Sequence, residues 1–143
     1  LRKFDCVNES RPRVTTEVLS PEEAFAKYIL VKSKMDNLKV VGIAGPGDAL
    51  ANFDNVKKTL ELIREHDPEV TFCLSTNGLM LPFYAQELIN LGVSHVTITM
   101  NAIDPKITAK VYKFIDYLGV TYTGEEGTQI LLNNHNDDVQ EQF

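Results

Sequence analysis

Apolar residues recur with a helical period over 20–36, 52–66, 82–91, 104–111 and 123–132, and with a strand period or as short runs over 38–44, 70–76 and 95–100. The junctions carry matching signals. Ser20-Pro21-Glu22-Glu23 predicts a helix start, with Ser20 as N-cap, Pro21 in the first turn and Glu23 completing a capping box. Ala24, Tyr28 and Val31 continue its stripe, and Asp36-Asn37 should end it. In the second helix Val56, Leu60 and Ile63 form the apolar face, Lys57, Lys58, Glu61 and Arg64 are expected to face water, and His66-Asp67-Pro68 stops it. Pro82 opens the third helix, which carries Tyr84, Leu88 and Leu91 and has Gly92 as its C-cap. Asp104-Pro105 starts a short helix with Ile107 and Val111. Thr123-Gly124-Glu125-Glu126 caps a last one through Leu132.

Strands alternating with helices predict βαβ units and a parallel sheet. The stretch 40–52 is the most informative. Val40-Val41-Gly42-Ile43 reads as a buried strand, Ala44-Gly45-Pro46-Gly47-Asp48 breaks it, and a helix follows. Such a turn leaves backbone N–H groups for an anion or a ligand carboxylate, although ordinary strand-to-helix turns use glycine too.

Two strands have one polar face each. Val70, Phe72 and Leu74 oppose Thr71, Cys73, Ser75 and Asn77; Val96, Ile98 and Met100 oppose His95, Thr97, Thr99 and Asn101. Parallel strands covered by helices on both sides are apolar on both. A repeated polar face therefore predicts the inside of a barrel or half-barrel holding a polar ligand, against the plainer reading that Thr and Ser simply suit strands. The expected ligand end is the carboxyl end of the strands: Gly45-Pro46-Gly47-Asp48, Ser75-Thr76-Asn77-Gly78 and Asn101-Ala102.

With 143 residues the chain can bury one real core. A net charge of −6, without a basic run, argues against a nucleic-acid partner. No apolar stretch is long enough to span a bilayer, so no membrane partner is expected. Cys6 and Cys73 do not form a secreted disulfide framework, which favours a reducing cytoplasm. His66 and His135 are expected to be solvated, and His95 to be structural. The start at Leu1 and the polar end after Asn133 suggest part of a larger enzyme: an irregular segment 1–19, a partial barrel 20–132 and a polar tail 133–143.

Lys3-Phe4-Asp5-Cys6-Val7-Asn8-Glu9-Ser10-Arg11-Pro12, Gly42-Ile43-Ala44-Gly45-Pro46-Gly47-Asp48-Ala49-Leu50-Ala51-Asn52, Cys73-Leu74-Ser75-Thr76-Asn77-Gly78-Leu79 and His95-Val96-Thr97-Ile98-Thr99 together resemble the NifB family, the radical S-adenosylmethionine (SAM) enzymes of nitrogenase cofactor assembly. The resemblance covers about residues 1–132. It implies an α/β fold, a partial (β/α) barrel of radical SAM type with parallel strands and flanking helices. It also implies a SAM-cleaving [4Fe–4S] cluster held by a Cys-x3-Cys-x2-Cys loop, and the fusion of two further [4Fe–4S] units with insertion of a SAM-derived carbide. By position, Gly45, Pro46, Gly47 and Asp48 match the glycine-rich SAM motif, and Ser75, Asn77 and Asn101 match positions bordering SAM. Cys6 and Cys73 match cysteines that hold the substrate clusters, and Glu9, beside Cys6, matches a place for proton or cluster handling. Iron–sulfur cluster donors and cofactor carrier or scaffold proteins are the implied partners.

The chain departs from that pattern in several places. The three-cysteine loop is absent and is expected just before Leu1, so this chain alone is expected not to cleave SAM. Later barrel strands are missing, Arg13 stands where glycine is usual, Ala49 replaces a proline, and the tail after about Asn134 diverges. Two other readings stand beside this one: a radical SAM enzyme with another substrate, and a non-catalytic α/β module binding a nucleotide or phosphate. Against the latter, no P-loop lysine follows the glycine turn.

Overall fold

The computed structural model describes residues 19–44 and 47–136. In order these form α1 (Pro21–Lys32), β1 (Val40–Ile43), a 3-10 turn (Ala49–Asn52), α2 (Phe53–His66), β2 (Thr71–Thr76), α3 (Leu81–Asn90), β3 (Val93–Ile98), α4 (Pro105–Val111), β4 (Ile115–Tyr117), β5 (Val120–Tyr122) and α5 (Gly124–Asn136). The parallel sheet has the sequential order β1-β2-β3. The expected α/β fold, parallel strands with flanking helices, is therefore present.

The Ser20 cap forms as the sequence predicts. Its hydroxyl accepts from the Glu23 N–H at 3.2 Å, and Glu23 accepts from the Ser20 N–H at 2.8 Å. The helix ends at Lys32, before the expected Asp36. One core unites α1, α2 and α3 on a single face of the sheet: Tyr28, then Phe53, Val56, Leu60 and Ile63, then Leu81 and Leu88, packed on Phe72 and Leu74. Each such side chain contributes on the order of 1.5–3 kcal/mol by leaving water. A doubly wound sheet would place helices on both faces. Here the side chains of Cys73 and Ser75 are half-buried, and His95, Thr97 and Thr99 are exposed, as on the open face of a barrel segment.

Four expectations need correction. The strand around Val41 is not buried: Val40 is 54% exposed, because β1 is an edge of the described sheet and only Val41 and Ile43 turn toward the core. β3 spans Val93–Ile98 instead of 95–100. In α4, Ile107 and Val111 are exposed while Thr108 is buried, because α4 meets α5 through Thr108 and Thr128, whose hydroxyls bond Ala102 O and Pro105 O, each at 3.1 Å. Arg64 does not simply face water: its guanidinium lies 4.3 Å from the Phe72 ring centre and donates to Pro68 O and Val70 O at 2.6 and 2.8 Å.

An antiparallel hairpin, β4–β5, was also unforeseen. Its two-residue turn puts Leu118 at φ 50° and Gly119 at φ 79°. Two positive φ values in a two-residue loop match the right-handed strand twist.

A second tie joins α1 to the end of α2. Tyr28 Oη and Lys32 Nζ donate to Asp67 Oδ2 at 2.6 and 2.7 Å. The Lys32 bond, followed by the Tyr28 bond, lowers the Asp67 pKa from 3.8 to about 2. Burial, followed by the bond to Asp67, raises Tyr28 from 10.0 to about 12. The signs set two limbs of a stability profile. The Asp67 contribution is complete above pH 3.8 and is lost as pH falls toward about 2. The Tyr28 contribution is complete below pH 10.0 and is lost as pH rises toward about 12. In urea unfolding across pH, Asp67→Asn should flatten the acid limb and Tyr28→Phe the alkaline one. Unchanged limbs in both variants would rule out this linkage.

No helix among the described residues is long and apolar enough to cross a membrane.

Candidate functional site

The sheet's polar face is built in rows. Parallel pairing sets Gly42 beside Cys73 and Cys73 beside His95, with Ser75 beside Thr97 one step nearer the strand tips. Partners in register on adjacent strands project to the same side, so each row is a contiguous strip about 4.8 Å per strand across. Val96 and Ile98 pack on the core, which leaves His95 and Thr97 on the open side.

At the tips, Asp48 is the organising group. Its Oδ1 accepts from the Leu50 N–H at 2.9 Å and caps the 3-10 turn leading into α2. Both carboxylate oxygens meet the Thr76 hydroxyl, at 3.0 and 2.9 Å, and Oδ2 also accepts from the Asn77 N–H. One carboxylate thus ties the end of β1 to the end of β2. Asp48 was expected to bind SAM as the last residue of the glycine-rich motif. Its carboxylate oxygens face in-chain donors, so what it supplies to the turn is position. Thr76, buried at 3% exposure, is the partner; the sequence placed it within the expected ligand end without a role of its own.

Asn77 Oδ1 accepts from the Leu79 N–H at 2.9 Å, which turns the chain into α3. Beside it lies a cavity of about 170 Å³ lined by Asn77, Leu79, Tyr112, Phe114, Ile115, Asp116 and Leu131. Asn101 Nδ2 donates to the hydroxyl of Tyr112, so both asparagines reach this cavity, one directly and one through the tyrosine. No local sequence signal marked Tyr112, which follows the last residue of a short helix. Ser75 stays on the polar face beside Thr97. Cys73 carries a free, half-buried thiol on the same face. Gly47 adopts φ 105°, with nothing within 4 Å of an added Cβ. Gly45, Pro46, Cys6 and Glu9 lie outside the described residues.

The neutral hydrogen-bonding side chains of Ser75, Asn77 and Asn101 suit the polar groups of SAM. The cavity of about 170 Å³, with Asn77 and Asp116 in its otherwise aromatic and aliphatic wall, has room for only part of such a ligand, whose pockets usually measure about 300 Å³ or more. For an iron–sulfur cluster the fitting donor is the Cys73 thiol. No group of three or more His, Cys, Asp or Glu that could enclose a metal ion occurs among the described residues.

His66 ends α2, with its ring edge-on to Phe25 at 5.8 Å between centroids. It is exposed, as expected.

Over most of its length the chain is similar to known proteins. The chain is 51% identical over 132 residues to the FeMo cofactor biosynthesis protein NifB of Bradyrhizobium diazoefficiens, covering 92% of this chain and 26% of that protein. The protein of the same name from Klebsiella pneumoniae is 50% identical over 131 residues, covering 92% of this chain and 28% of that one. The one from Chlorobaculum tepidum is 48% identical over 134 residues, covering 93% and 31%. The chain thus spans roughly a quarter to a third of the length of these relatives. The family model described as the radical SAM superfamily matches residues 6–123. With that match over most of its length, and a three-stranded parallel sheet with flanking helices, the chain belongs to the radical SAM superfamily.

Proposed function

We propose that this chain is the SAM-binding and cluster-binding part of an enzyme that builds the nitrogenase cofactor precursor, fusing two [4Fe–4S] substrate clusters and inserting a carbide derived from SAM. The observation that carries the reading is the in-register polar face of β2 and β3, which runs from Cys73 through Ser75 to the Asp48-tied tips. The similarity to NifB proteins supports the choice of substrate over another radical SAM chemistry, and the superfamily match favours an enzyme over a non-catalytic binding module.

In this reading the turn containing Gly45, Pro46 and Gly47 receives the amino end of SAM through its backbone, while Asp48 holds the turn against β2. Ser75 hydrogen-bonds the ligand along the sheet, and Asn77 and Asn101 set its edge at the cavity. Cys6 and Cys73 hold a substrate cluster, and Glu9 moves a proton beside Cys6. When bound, a reduced [4Fe–4S] cluster with SAM supplies radical chemistry; this chain's own part is to position SAM against the substrate iron. Cluster donors and cofactor carrier proteins are the expected partners, and the cytoplasm the expected location.

In the full-length protein, reconstituted anaerobically with substrate clusters and methyl-labelled SAM, the labelled carbon should appear in the iron–sulfur product. Ser75→Ala and Asn77→Ala should each weaken SAM binding by roughly 10-fold, the value of one lost polar contact of about 1.4 kcal/mol. SAM cleavage without label in the cluster would assign another substrate. Unchanged SAM affinity in both variants would remove the polar face from the site.

A further inference from the structure

We propose that His95 is a second metal ligand, paired with Cys73, so that the polar face offers a sulfur and a nitrogen side by side to one metal centre. The pairing is a product of a local irregularity. Phe72 is in register with Val93, but Cys73 is in register with His95, so Ser94 is an extra residue and the register shifts there. A bulge of this kind re-aims the side chain that follows it. Without it Ser94 would stand opposite Cys73; with it the imidazole does.

The surroundings of the pair suit a bound centre. On the other side of Cys73 in the same row is Gly42, where an added Cβ would meet nothing within 4 Å. The row therefore reads open space, thiol, imidazole. Ser94 also sets the ring. Its hydroxyl lies 3.4 Å from Phe72 O and 2.9 Å from His95 Nδ1. The serine oxygen holds the ring at Nδ1 and is able to accept from Nδ1–H when a metal occupies Nε2. Metal-binding histidines are commonly fixed by a hydrogen bond at the other ring nitrogen. Strands about 4.8 Å apart let a sulfur and an imidazole nitrogen share a metal with bonds near 2.3 and 2.1 Å. A thiolate with an imidazole suits iron or zinc, and carboxylate-preferring calcium or magnesium poorly. The proposal rests on the functional reading above only for the identity of the centre, an iron–sulfur substrate. His95 was expected to be structural; its exposure on the open face gives it no such part in packing.

The test uses the full chain without an affinity tag. In a Cys6→Ser background, Cys73 is the sole thiol, since the chain has 2 cysteines. Titration with cobalt(II) alone should give a sulfur-to-cobalt charge-transfer band that Cys73→Ser abolishes. His95→Ala should keep that band but weaken cobalt binding by roughly 10-fold or more, because even loss of a histidine's outer partner typically costs 10–100-fold. Cadmium(II) should shift the His95 Nε2 resonance and not that of His66. A Cys6→Ser chain without the thiolate band, or His95→Ala in that background with unchanged affinity and spectrum, overturns the pair; circular dichroism of each variant separates these results from unfolding. If cobalt binds at the pair while the full-length protein builds no carbon-bearing cluster, the functional reading fails and the pair stands. The reverse result removes the pair alone.

Discussion

Asp48→Ala is expected to lower the unfolding free energy by about 2–4 kcal/mol, through loss of a cap and of charged hydrogen bonds. The variant removes the acceptor of the Leu50 N–H, the Asn77 N–H and the Thr76 hydroxyl at once. Thr76 is buried, so its hydroxyl proton would be left without an acceptor and without water. Asp48→Asn should recover about half of the loss, because a carboxamide oxygen still caps Leu50 while its NH2 group opposes one of the remaining donors. The urea midpoint should fall with little change in slope, as for a loss of stability without a change in exposed surface. Because the same carboxylate joins the tips of β1 and β2, SAM affinity in the full-length protein should fall with it. A midpoint shift equivalent to less than about 0.5 kcal/mol, the range of an ordinary surface substitution, would show that the tie does not hold the tips.

Arg64→Ala is expected to cost about 2–3 kcal/mol, for hydrogen bonds to a charged group together with a cation–π contact. The guanidinium spans the end of α2 and the starts of β2 and β3, bonding Pro68 O, Val70 O and Gly92 O while lying over the Phe72 ring. Lysine has a point charge in place of the planar fork, so Arg64→Lys should recover little of the loss. A cycle with Phe72→Leu should show a coupling of about 0.5–1 kcal/mol for the ring contact. Full stability in Arg64→Lys would reduce the residue to a solvated charge. Gly92 belongs to this clamp: it sits at φ 80°, and an added Cβ would come within 2.8 Å of Arg64 Nη2.

What could be read from the chain was local in origin. The Ser20–Glu23 capping box closes within one turn, and Val56, Leu60 and Ile63 repeat at the helical period, so both follow from neighbouring residues alone. The two-faced alternation of β2 and β3 was visible for the same reason, and with it the polar face. Arg64 was misread because its partners are carbonyls whose positions only the folded chain defines. Leu118 hid the β4–β5 turn, since a leucine at positive φ gives none of the Asn or Asp signal such turns usually carry. Thr76 was named only within the expected ligand end, and its hydroxyl is committed to a carboxylate from the loop after β1, a partner no local pattern reveals. The site residues at the tips were named by resemblance. The structure adds the cavity through which Asn77 and Asn101 come together, and the bulge that aligns His95 with Cys73.

All of α1, α2 and α3 pack on one side of the sheet, and this divides the work of β2 and β3 residue by residue. Odd and even positions of the same strand answer to different demands: one set keeps the polypeptide folded, the other stands on the open side of the sheet. Exchanges at Ser75 or Thr97 should therefore leave thermal tolerance nearly intact. A sheet laid out in this way can change its polar face by single substitutions without first gathering surplus stability.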